Sequence, residues 1–137
     1  MNTQQDSLFQ RSDLVSSYTR RQALEDGVQA DMNAGITGEV TRENFKFPVY
    51  VTSSVFEIMS SAVANKRWCN DWRGVWADVC NMARMAIKAS RFDDLVRFQV
   101  IIRGAGRKSL FTFLAQCGPV DIDSPEPCIT IMLPEDN

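Results

Sequence analysis

Hydrophobic and polar positions change period twice along this chain. Thr19 precedes a short apolar stretch, and Gln22 stands three residues on, the spacing of a capping box. This predicts a short helix through Ala23 and Leu24, stopped at Gly27, because glycine takes the left-handed position after a helix at little cost. The stretch 32–41, with Gly35 and Gly38, reads as loop. Phe45, Phe47, Val49 and Val51 alternate, a strand pattern that Pro48 restricts to a sheet edge or an extended lead-in. Ser54 and Glu57 repeat the capping-box spacing ahead of Val55, Ile58, Met59, Ala62 and Val63, so a second helix is expected to end near Asn65.

The longest regular pattern follows. With Asn70 as its cap, Trp72, Val75, Trp76, Val79, Met82, Ala83, Ala86 and Ile87 recur at helical spacing and define one apolar stripe, ending near Ser90. After Asp93-Asp94 the period becomes two. Val96, Phe98, Val100 and Ile102 share one face, and Arg97, Gln99 and Arg103 share the other. Gly104-Ala105-Gly106 reads as a hairpin turn, Phe111, Phe113, Ala115 and Cys117 as the returning strand, 118–127 as a proline- and acid-rich connection, and 128–133 as a last strand. Helices followed by a meander define an α+β domain. The expected architecture is two short helices and one long amphipathic helix on a three- to four-stranded antiparallel sheet. It spans 14–137 behind a flexible leader, 1–13, with 14–18 as a short extended piece.

At 137 residues and 45% apolar content there is room for one core. No apolar run is long enough to cross a bilayer. The polar start at 1–10 lacks the basic and apolar regions of a secretory signal, which predicts a cytoplasmic protein without a membrane partner. There is no histidine, and Cys69, Cys80, Cys117 and Cys128 form no C-x-x-C pair. Zinc ligation and Cys-His or Ser-His catalysis therefore lack their usual residues. The cysteines are expected to be reduced and mostly buried, and no cofactor is implied. The carboxylate pairs, Asp93-Asp94 among them, read as turn formers rather than magnesium ligands.

Charge is unevenly spread. Residues 1–65 carry −3, residues 66–108 carry +6 and residues 109–137 carry −5. The basic middle includes Lys66, Arg67, Arg91, Arg97, Arg103, Arg107 and Lys108, and Trp68 lies among them, at the same four-residue spacing as Trp72 and Trp76 but ahead of the helix cap. Arginine and tryptophan dominate many interfaces, and a basic patch can contact phosphate. Trp68, Arg97, Arg103, Arg107 and Lys108 are therefore the candidate partner-binding residues. Solvated charges along a sheet edge would give the same pattern.

Tyr18-Thr19-Arg20-Arg21-Gln22-Ala23-Leu24-Glu25-Asp26-Gly27-Val28, Phe47-Pro48-Val49 and Ile129-Thr130-Ile131-Met132-Leu133-Pro134-Glu135-Asp136 resemble motifs of an uncharacterised family of small proteins from bacteria, plasmids and phages. The resemblance covers roughly residues 15–137. It carries over no catalytic residue. It implies a non-enzymatic interaction protein of a mobile element, such as an anti-CRISPR or other anti-defence inhibitor that binds a host protein or nucleoprotein complex, CRISPR–Cas effector subunits included. The alternatives are a nucleic-acid-binding accessory protein and a metal-dependent enzyme of unfamiliar type.

Overall fold

The computed structural model describes residues 19–91 and 93–137. The leader 1–13 and the extended piece 14–18 lie outside them. In chain order the elements are α1 (Arg20–Glu25), β1 (Gln29–Asp31), α2 (Gly35–Asn44), β2 (Val49–Thr52), α3 (Ser53–Ala64), α4 (Trp72–Ser90), β3 (Leu95–Ile101), β4 (Leu110–Asp121), β5 (Ser124–Met132) and a single tight turn, Pro134–Asp136. The α+β class is as expected. The sheet is larger and mixed: five strands in the order β1-β2-β5-β4-β3, with β2 parallel to β5 and the other pairs antiparallel.

Inward positions of the strands, among them Val49, Val51, Phe98, Val100, Phe113, Ala115, Ile129 and Ile131, form one face. Helices α2, α3 and α4 cover it through Val40, Val55, Met59, Val75, Trp76 and Val79. The long-helix stripe holds with two exchanges. Met82 is exposed, and Cys80, which the stripe omits, is buried.

Several local expectations are corrected. The stretch read as loop contains β1 and α2. Gly35 enters α2 at φ +64°, and a Cβ on Gly38 would stand 2.6 Å from the backbone carbonyl of Asn33. Gly38 therefore lets α2 pack hard against its own lead-in, while Gly35 supplies the left-handed conformation at its start. The alternation from Phe45 forms a strand only from Val49. Phe45 ends α2 and packs on the core, while Phe47 is exposed. Pro48 lies just before β2, and its carbonyl accepts from the Ile129 amide at 3.0 Å, so β2 is an inner strand and not an edge. Thr52, not Ser54, precedes α3, and no side chain caps that helix end. The α4 cap is Asp71, whose carboxylate accepts from Gly74 N–H at 2.7 Å, one residue after the expected Asn70.

The proline-rich stretch 118–127 is also strand except at a turn, 122–123, and forms the end of β4 and the start of β5. Cys117 donates its amide toward β3, and Ile129 donates toward β2, away from their β4–β5 pairing. By alternation Pro119 and Pro127, which face each other, also occupy positions whose N–H would point away from the partner strand. Neither proline removes a bond from this ladder.

Candidate functional site

The basic residues of the β3–β4 turn are held against the α3–α4 loop by two asparagines. Asn65 closes α3, donates its amide to Gly104 O at 3.0 Å and accepts from the Arg67 amide at 3.0 Å. Asn70 donates to both Ala62 O at 3.2 Å and Arg103 O at 2.7 Å. The turn is closed below by Ile102 N–H to Ser109 O at 2.8 Å, and Ala105 packs on the core.

Trp68 lies on this turn. Gly104 has φ +96°, and a Cβ there would meet Trp68 Cδ1 at 2.9 Å, so only glycine lets the indole approach so closely. The Arg103 guanidinium stands 6.0 Å from the Trp68 ring centroid, within cation–π range, and Lys108 Nζ stands 5.2 Å from that of Phe111. Trp68 nevertheless remains 49% exposed.

Two loops thus bring Lys66, Arg67, Arg103, Arg107 and Lys108 to one end of the molecule, all exposed. Neither 58–70 nor 95–120 contains an acidic residue. Among the described residues these five cations make no ion pair; the salt bridges there join Arg73 to Glu39 and Glu43. Desolvated contact with an anion would find cations that need not first release a carboxylate.

Of the residues singled out from sequence, Trp68, Arg103, Arg107 and Lys108 meet at this tip. Arg97 does not: it is six residues back along the sheet edge, about 20 Å at the rise of a strand. Arg91 ends α4, at the far end of that helix from the tip. Lys66 and Arg67 join the tip because Asn65 and Asn70 fold their loop onto the hairpin. The asparagines were legible only as cap or turn residues, since their targets are more than thirty residues away.

Two other polar clusters are internal staples. Arg20 donates Nε to Val120 O at 2.9 Å, Nη1 to Gln29 Oε1 at 2.7 Å and Nη2 to Cys128 Sγ at 3.2 Å, with its guanidinium 4.2 Å above the Tyr50 ring. The Asp121 carboxylate accepts from the amides of Arg20, Arg21 and Ile122, completing the N-terminus of α1 beside the Thr19–Gln22 capping box. In the second cluster Asp136 accepts from Thr52 Oγ1 at 2.8 Å, Ser54 Oγ at 2.7 Å and Leu133 N–H at 3.0 Å. Burial works against both carboxylates, but these donors hold each below the usual carboxylate range.

The cysteines divide. Cys80 and Cys128 are buried and Cys117 is partly so, in line with mostly buried thiols, while Cys69 is the exposed exception. Burial pushes the Cys80 thiol up. Among the described residues no three Cys, Asp or Glu side chains converge on a possible metal position, and no helix is long and apolar enough to cross a membrane.

Fold and tip together define a small α+β protein with a cationic, tryptophan-bearing end. A model of a family of unknown function, DUF6573, matches residues 5–137, and the chain belongs to that family. No curated protein and no solved structure matches it.

Proposed function

We propose that the protein acts by binding, without catalysis, and that its basic tip docks on a phosphate-bearing surface of a host nucleoprotein complex. The observation that carries this reading is that two clamped loops carry five exposed cations without an ion pair, together with half-exposed Trp68, whose ring the Arg103 guanidinium approaches. The guanidinium groups can each clasp a phosphate, and the indole offers a flat face to a base or to an apolar side chain. The resemblance of the N-terminal and C-terminal motifs to proteins of plasmids and phages motivates the choice of partner: a defence effector carrying guide RNA, with CRISPR–Cas complexes the first to assay. The protein would then serve a mobile element inside the bacterial cytoplasm as an anti-defence inhibitor.

The test compares wild type with Arg103→Glu/Arg107→Glu on an RNA-loaded effector. Both side chains are exposed, so the variant should melt like wild type. Reversed charge should weaken binding by about tenfold or more and flatten its salt dependence. Equal binding by a folded double variant would refute the assignment. A second reading is favoured by the exposure of Trp68: an accessory protein that stacks directly on single-stranded nucleic acid. Tight, salt-sensitive binding to bare oligonucleotides, lost in Trp68→Ala, would select it.

A further inference from the structure

The β3 edge of the sheet has no neighbour among the described residues. Ile102 N–H donates to Ser109 O, and Cys117 N–H donates to Asp94 O, so even-numbered residues of this segment exchange hydrogen bonds with β4. Leu95, Arg97, Gln99 and Ile101 consequently turn their N–H and C=O groups toward the open edge. Native sheets usually protect such an edge with a proline, a bulge, several charges or a very short strand. Here β3 pairs with β4 without a register shift, holds no proline and has Arg97 as its one charge. The other edge strand, β1, has only three residues. Around the β3 edge Leu95 is 40%, Ile101 53%, Leu110 49%, Met82 37% and Met85 53% exposed, and a groove of about 400 Å³ lies between α4 and Ile101.

We propose that this edge is a homodimer seam, in which β3 pairs antiparallel with β3 of a second copy about a two-fold axis at Phe98. The occupant follows from the strand's own order. Centring on Phe98 sets Leu95 opposite Ile101 of the second copy and Arg97 opposite its Gln99, and every outward N–H and C=O of the four residues finds a partner. Centring on Arg97 would set two arginines face to face, which is destabilising. Centring on Gln99 would leave Leu95 unpaired. Centring on Val96 or Val100 would set two of the four outward residues against residues outside β3, so the register centred on Phe98 alone satisfies hydrogen bonding, apolar contact and charge together, as an isologous interface requires. It also gives Arg97, which stands apart from the basic tip, a part to play. The inference is independent of what the tip binds.

The experiment is sedimentation equilibrium of the full chain across a concentration series. Wild type should show a monomer–dimer equilibrium. Gln99→Arg sets like charges opposite each other twice and should weaken the dimer on the order of tenfold, while Gln99→Glu should tighten it by a similar factor. The swap Arg97→Glu/Gln99→Arg should restore dimerisation lost in Gln99→Arg. Circular dichroism and melting confirm that each variant is folded. A folded wild-type monomer at millimolar concentration overturns the proposal. A dimer indifferent to all three variants overturns it as well, because the copies would then meet elsewhere. A monomer whose Arg97 and Gln99 amides resist hydrogen exchange would show another part of the chain covering the edge, and that too overturns the dimer seam.

Discussion

The indole N–H of Trp76 donates to the hydroxyl of Thr41 at 2.9 Å, with both side chains buried, and the Thr41 hydroxyl lies 2.7 Å from Met32 O. This bond ties the long helix α4 to α2. Around it, Arg73 pairs with Glu39 and Glu43, and Arg84 donates to Asn44 at 3.2 Å. Trp76→Ala removes a fully buried ring and should cost roughly 3–5 kcal/mol. Thr41→Val keeps the volume but orphans the indole N–H, and should cost roughly 1–3 kcal/mol. Urea unfolding of the two variants, with Trp76→Phe as a third, separates the packing from the hydrogen bond.

Gly38→Ala should destabilise the protein although alanine favours helices. Its Cβ would lie 2.6 Å from Asn33 C and O, which are backbone atoms, so α2 must shift. A loss of roughly 1–3 kcal/mol is expected, the usual cost of overpacking. A melting temperature equal to or above wild type would contradict this packing.

Acid should loosen the C-terminal turn. The folded-state pKa of Asp136 is depressed, so its contribution to stability is present above the unfolded value, near 3.8, and is lost as pH falls through the lower folded value. Asp121 behaves in the same sense. Asp136→Asn should lower stability at pH 7 and flatten the dependence below about pH 4. Chemical denaturation of wild type and variant between pH 2 and 7 checks the sign.

Gly104→Ala would place a methyl group against Trp68 and hold a φ of +96° that alanine resists. The core should survive, with a cost of about 1 kcal/mol, while Trp68 is pushed from the turn. Fluorescence quenching by acrylamide should rise relative to wild type, provided that Trp72 and Trp76 remain shielded.

Thiol labelling should resolve the cysteines by exposure. Cys69 should react first under native conditions, and Cys80 only after unfolding. Mass spectrometry of briefly labelled protein identifies the modified peptide. Fast modification of Cys80 would contradict its burial.

The sequence made the strongly periodic parts legible: the α4 stripe, the β3–β4 hairpin, and the Thr19–Gln22 box with its Gly27 stop. What it hid depends on distant neighbours. Gly35, Gly38 and Thr41 weaken any local helix signal, and α2 forms because α4 covers it. Pro119 and Pro127 look like a loop until they are seen opposite each other on the ladder. Ser54 resembled a cap residue, but its hydroxyl is taken by Asp136, eighty-two residues on. At the tip the cations were readable from charge and the exposure of Trp68 from its place ahead of the helix cap. The joining of the two loops was not, because an asparagine's local options mask a long-range clamp.

The parallel pairing of β2 with β5 also bears on when the protein can fold. Val49, Tyr50 and Val51 meet Ile129, Thr130 and Ile131, and without that strand β1–β2 and β3–β4 are separate ribbons with no shared edge. Two-stranded ribbons are marginal in water. Emerging from a ribosome, the chain therefore has all four helices and its first four strands made before the segment that welds the two ribbons together. Loop closure over this span is slow, and the waiting chain exposes Val49, Val51 and the α4 stripe. A truncation ahead of Cys128 should thus yield an aggregating chain rather than a smaller folded one, and a chaperone would have its work between the synthesis of β2 and that of β5.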